Sequence, residues 1–197
     1  MQKIKYIEGD LFALVKTDKD PGPTIIAHCC NDKGAFGAGF VVPLAKNFPS
    51  SKDKYLQWHT EPGLIGGPQM NCTGEFGLGE TQFVNIDDKI FVANMVAQTL
   101  GGVRPLFYNH LSRCLDAVAK FEKFLTDSRL YPAKIIAPAF GSGLAGGDWE
   151  IVEQLIYDSW IRRDIPVTIC YLPGTLPAIE NRNHRESDAK TKEANSN

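Results

Sequence analysis

The 197-residue sequence predicts a three-layer α/β domain. Short apolar runs alternate with helical patterns along most of the chain. Two of those runs open into glycine-rich loops that lead on to helices. The hydrophobic share of 43% is ample for the buried core of one domain.

Lys5 to Glu8 and Thr24 to Cys29 read as short strands, and Asp18 to Pro23 supplies the turn residues between them. After the first glycine-rich loop, Phe40, Val41, Leu44, Ala45 and Phe48 recur at helical spacing until Pro49 stops the pattern, and a second helical stretch lies near Ser51 to Thr60. Pro62 to Gly79 is dense in glycine and holds two prolines, which makes it a long loop of the kind that often carries function. Thr81 to Asn85 and Lys89 to Met95 resemble a hairpin across Asp87-Asp88, and Val103 to Phe107 leads into a helix. That helix has the clearest stripe in the chain, formed by Leu111, Cys114, Leu115, Val118, Phe121 and Leu125. Lys134 to Phe140 reads as a buried strand, Trp149 to Ile161 as a helix with Asp148 at its N-cap, and Val167 to Leu172 as the last strand. The apolar pattern then ends, so the expectation is one domain over residues 1–173 and a polar, disordered tail over 174–197.

Composition removes several functional classes. The formal charge is −2, from 21 basic and 23 acidic residues with no basic block, which disfavours nucleic-acid binding. No run approaches the roughly 20 apolar residues of a membrane span, and the first residues enter a strand pattern without a signal-like apolar segment. A cytoplasmic monomer is expected, with nuclear entry left open. Five cysteines without C-x-x-C spacing and four dispersed histidines predict reduced thiols and no metal; no cofactor is expected.

The two loops carry most of the functional signal. Gly141-Ser142-Gly143-Leu144-Ala145-Gly146 has the G-x-G-x-x-G form in a strand-to-helix setting. A dinucleotide fold would need an acidic residue ending the next strand and further strands beyond it, whereas the next strand ends in Tyr171-Leu172 and is the last. No Gly-Lys-Ser/Thr follows either loop, which excludes a P-loop. Glycines in such places serve tight turns, or they let main-chain N–H groups surround a phosphate. With a second loop, His28 to Gly39, built on the same plan, a nucleotide-like ligand held between the two is the favoured reading.

Taken together, Gly9-Asp10-Leu11-Phe12, Ala27-His28-Cys29-Cys30-Asn31 through Gly37-Ala38-Gly39, Ala93 to Gln98, and Gly141 to Gly146 resemble the macrodomain family. The resemblance spans about residues 1–173 and is nearest to the branch of the ADP-ribose-1″-phosphate phosphatases and terminal ADP-ribose protein glycohydrolases. It implies a mixed, roughly six-stranded sheet between helices and a cleft for ADP-ribose or its derivatives, including ADP-ribosylated proteins. By position, Gly9, Asp10 and the Leu11 backbone would meet the adenine. Asn31, Gly37, Ala38 and Gly39 would surround the distal ribose, with Val96 on the neighbouring strand. Gly141, Ser142, Gly143, Leu144, Ala145 and Gly146 would cradle the diphosphate. Phe140 and Tyr171 read equally as adenine-side or core aromatics.

The same resemblance implies hydrolysis of a group on the distal ribose. The glycohydrolases' lysine and aspartate positions are Gln98 and Ala145 here, and neither can form an adduct or move a proton. His28, Asp32 and Asp148 are the remaining catalytic candidates. His28 also reads as a structural strand-end residue, Asp148 as a helix cap and Asp32 as a solvated loop carboxylate. A non-catalytic reader of ADP-ribose is the alternative function.

Overall fold

A computed structural model describes residues 2–61, 75–100 and 106–175. Six strands form one sheet: β1 (Lys5–Glu8), β2 (Thr24–Asn31), β3 (Thr81–Asn85), β4 (Ile90–Gln98), β5 (Lys134–Pro138) and β6 (Val167–Tyr171). Their spatial order is β1-β6-β5-β2-β4-β3, with every pairing parallel except the β3–β4 hairpin. The sheet is therefore mixed and six-stranded, as the resemblance implies.

Strand alternation splits the apolar side chains between two cores. Ile25 and Ala27 of β2, with Phe91, Ala93, Met95 and Ala97 of β4, join the core under α4 (Tyr108–Ser128) and α5 (Trp149–Ser159). Ile26, Cys30, Val92 and Val96 join the opposite core under α1 (Leu11–Thr17), α2 (Val41–Asn47) and α3 (Pro49–Thr60). β2 is covered on both faces, which is why its sequence reads as a nearly unbroken apolar run. Pro49 ends the α2 pattern and occupies the first turn of α3, where its missing N–H costs nothing.

The element boundaries depart from the sequence reading in a few places. α1 was not anticipated: it is seven residues long, too short for a periodic signal, and starts because Asp10 Oδ1 accepts the Phe12 N–H at 2.9 Å. β5 stops at Pro138, which releases Phe140 into the following loop. α5 closes at Ser159, and a 3₁₀ turn continues over Ile161–Arg163. The expectations for 62–74, for 103–105 and for the tail beyond 175 lie outside the described residues. No described helix is long and apolar enough to cross a membrane. The carboxyl ends of the parallel strands share one edge, the place where open α/β sheets hold their ligands.

Candidate functional site

The first loop grows out of the end of β2, where pairing with β4 slips between Cys30 and Asn31. Asn31 is buried, and its carboxamide folds the chain back on itself. Its Oδ1 accepts the N–H groups of Lys33 and Ala35 at 3.0 and 3.1 Å, and its Nδ2 donates to the Ala35 carbonyl at 2.6 Å. The Tyr55 hydroxyl of α3 donates to the Asn31 carbonyl. Gly34, at φ +70°, leaves room for the His59 ring, whose Nδ1 lies 2.6 Å from where a Cβ would stand. Beyond this brace, the N–H groups of Phe36, Gly37, Ala38 and Gly39 make no hydrogen bond to any described residue.

The second loop is shaped by its own backbone. Gly147 N–H donates to Gly141 O at 2.8 Å and closes a neck, and Gly146 N–H donates to Gly143 O at 2.9 Å. Gly141 and Gly146 adopt positive φ, +79° and +60°, a region that disfavours any side chain. The Leu106 side chain fills the neck. Above it, the N–H groups of Ser142, Gly143, Leu144 and Ala145 make no hydrogen bond to any described residue. The two loops meet: Leu144 Cδ1 lies 3.4 Å from the position of a Gly39 Cβ, and the Leu144 side chain is otherwise 80% exposed. Two runs of uncommitted amides thus lie on loops that touch, a setting suited to an anion.

At the other end, Gly9 N–H donates to Tyr171 O at 2.9 Å, joining the β1 exit to β6. One Asp10 oxygen caps α1, which leaves the second for another donor. The Leu11 side chain is buried in the α1–α3 core. Phe140, Val96 and Tyr171 are buried members of the cores. Phe140 packs edge-on against Trp149 and Trp160, Val96 is fully buried in the α1–α3 core, and Tyr171 belongs to the α4–α5 core. The exposed side chain after β6 is Leu172, which the sequence reading did not single out.

The three catalytic candidates separate clearly. His28 is 1% exposed, and its Nε2 donates to Asn94 Oδ1 at 2.7 Å, because both Asn94 amide hydrogens go to Gln82 Oε1 and Ser51 O. Burial pulls its pKa down to about 4 against the opposing pull of Asn94. Of its two readings the structural one fits this burial: the lowered pKa keeps His28 neutral near pH 7, and its ring packs against Phe36 and Phe40, with ring centroids 6.1 and 5.6 Å away. Asp148 acts as the cap of α5, accepting Glu150 N–H at 2.9 Å. Asp32 sits at the root of the first loop, its N–H on Gln98 O at 3.0 Å. Partial burial would raise its pKa, but the nearby Thr99 side chain and the Lys33 ammonium, 3.1 Å away, outweigh that and lower it. Gln98 lies opposite Asn31 in register.

Sequence reasoning missed Tyr55 and His59 of α3, Leu106 in the bridge to Gln98, and Tyr108 of α4, which reach the loops from distant parts of the chain and carry no local signal. Among the described residues no group of three or more His, Cys, Asp or Glu could hold a metal ion.

The chain is 38% identical over 169 residues to an ADP-ribose 1''-phosphate phosphatase of Candida albicans, an alignment covering 79% of this chain and 92% of the relative. A solved macrodomain protein from Streptomyces coelicolor is 34% identical, with a TM-score of 0.66 over 85% of this chain and 98% of that one. The chain belongs to the macrodomain family. An ADP-ribose glycohydrolase of Homo sapiens is 25% identical over 169 residues, 85% of this chain and 90% of its own. No family model matches the chain.

Proposed function

We propose that this macrodomain binds ADP-ribose between its two glycine loops and hydrolyses a group from the distal ribose, either a 1''-phosphate or an ADP-ribosyl or acetyl ester linkage. The observation that carries the reading is the approach of Leu144 to Gly39, which brings two strings of uncommitted amides to one place. The named activities of the fungal and human relatives both concern ADP-ribose derivatives. In this reading Ser142 to Gly146 hold the diphosphate, Asp10 accepts from the adenine amino group, and Asn31 with Gly37 to Gly39 frames the distal ribose.

The chemistry is assigned to placed water. Gln98 and Ala145 supply neither nucleophile nor acid, His28 is buried and neutral, and Asp148 is occupied as a cap. Asp32 remains, a carboxylate held ionised by its neighbours, suited to orienting a water rather than to storing a proton. Amides fixed in advance around the ribose would supply positioning and charge stabilisation.

The test is product formation from ADP-ribose-1''-phosphate, O-acetyl-ADP-ribose and a mono-ADP-ribosylated protein. Turnover of at least one is expected, with Asp32→Asn losing most of it while keeping wild-type ADP-ribose affinity. Tight ADP-ribose binding with no product from any of the three would overturn the hydrolase and leave the reader, which Gln98 and Ala145 favour.

We assign the macrodomain to residues 1–173, and a chain ending at Gly174 is expected to keep wild-type affinity. Unpaired thiols at Cys29, Cys30, Cys114 and Cys170 support a reducing compartment, and we place the protein in the cytoplasm, which imaging of a tagged chain would check.

A further inference from the structure

The two loops belong to different strands, yet one short segment touches the supports of both. Leu106 bridges to Gln98, and the Phe107 N–H donates to Ala97 O at 2.9 Å, so this segment is anchored to the end of β4. That strand end is also the root of the first loop, through the pairing of Asn31 with Gln98 and the Asp32 N–H on Gln98 O. From the same anchor, Leu106 reaches the neck of the second loop. Its Cδ2 stands 2.9 Å from where a Gly141 Cβ would be and 2.5 Å from a Gly147 Cβ. Tyr108, in the first turn of α4, accepts the Asp148 N–H on its hydroxyl at 2.7 Å. Asp148 is where the second loop ends and α5 begins.

We propose that Leu106–Tyr108 is a strut that sets the spacing between the two loops, and that Tyr108 is a positioning residue for the diphosphate-binding loop. The inference rests on the diphosphate reading of that loop. The hydroxyl touches no ligand in this scheme; it fixes Asp148 N–H, while Leu106 fixes the glycine neck. A loop whose exit is free to shift samples binding-competent arrangements less often, and its apparent affinity falls by that fraction.

Tyr108→Phe keeps the ring and removes the hydrogen bond. Calorimetry with ADP-ribose and with adenosine, which has no diphosphate, is paired with amide relaxation of residues 142–147 in a ¹⁵N-labelled protein. The variant is expected to bind ADP-ribose about fivefold more weakly, the effect of one neutral hydrogen bond. Its adenosine affinity stays unchanged, and the 142–147 amides become more mobile. Equal ADP-ribose affinity in the two proteins overturns the proposal and leaves the functional reading intact. Equal weakening of both ligands also overturns it, since the hydroxyl would then support the fold at large. If the wild type takes up no ADP-ribose, the functional reading fails by itself, and the strut is judged on the relaxation data: unchanged mobility of 142–147 in the variant refutes it.

Discussion

The first and second loops present the same chemistry, a row of uncommitted amides, but they are built from different materials. Residues 31–39 are shaped by side chains: the Asn31 carboxamide, the Tyr55 hydroxyl and the His59 ring, with His28 beneath. Residues 140–147 are shaped by glycine conformations, two backbone bonds and the packing of Leu106. A loop held by side chains is damaged from a distance, by changes on another helix. A loop held by backbone is damaged locally, by any added carbon at its neck, and from a distance only through the Leu106 and Tyr108 contacts at its neck and exit.

The largest effect is expected at the open part of the second loop. A Cβ at Gly143 would meet nothing within 4 Å, so Gly143→Glu has room to fold, but it sets a carboxylate against the proposed diphosphate. Like charges so placed cost several kcal/mol. Calorimetry should show ADP-ribose affinity falling at least about 100-fold with an unchanged Tm; retained affinity would put the diphosphate elsewhere.

Next comes the support under the first loop, through pH. His28 titrates near 6.5 in the unfolded chain and at about 4 in the folded one, so the unfolded state binds more protons between those values. The contribution is fully present above pH 6.5 and is lost as the pH falls towards 4, on the order of 3 kcal/mol in all. Denaturant midpoints measured from pH 7 to pH 4 should fall accordingly, and His28→Gln should flatten that slope. A slope unaltered by the substitution would show that other groups produce it.

A methyl at the second loop's neck should cost somewhat less. Gly147→Ala puts a carbon 2.6 Å from the Gly141 carbonyl oxygen, and overpacking of this kind typically costs about 1–3 kcal/mol. Affinity should drop roughly tenfold and Tm should fall, in contrast to Gly143→Glu. If both glycines respond alike, the division between neck and open crown is wrong.

The smallest effect belongs to the remote brace. Tyr55→Phe removes the hydrogen bond to the Asn31 carbonyl, worth about 1 kcal/mol. A loss of a few-fold in ADP-ribose affinity from a residue on α3 would establish control of the first loop from a distance. No change in either affinity or Tm would mean that the Asn31 carboxamide suffices.

Both loops were legible because each combines a buried strand, a glycine cluster and a following helix within a few residues. Asp148 as a cap was legible for the same reason, since capping is decided within one turn. The fates of Phe140, Val96 and Tyr171 were not. An aromatic or aliphatic side chain at a strand end looks the same in sequence whether it faces a core or a cleft, and neighbours such as Trp149 and Trp160 decide between them. His28 stayed open between catalyst and structural residue for a related reason. Its position at the end of an apolar run was visible, but its Asn94 partner sits 66 residues away on the neighbouring strand.

By itself the sequence determined the three-layer order of elements and the two glycine-rich turns, because hydrophobic period and glycine placement act over one or two turns of chain. Only the tertiary structure decided that Leu144 touches the first loop, that His28 is sealed away while the Asp32 pKa is lowered by its neighbours, and that the segment leading into α4 contacts the supports of both loops. Those outcomes depend on burial and on contacts between residues far apart in the chain, and no local pattern encodes them.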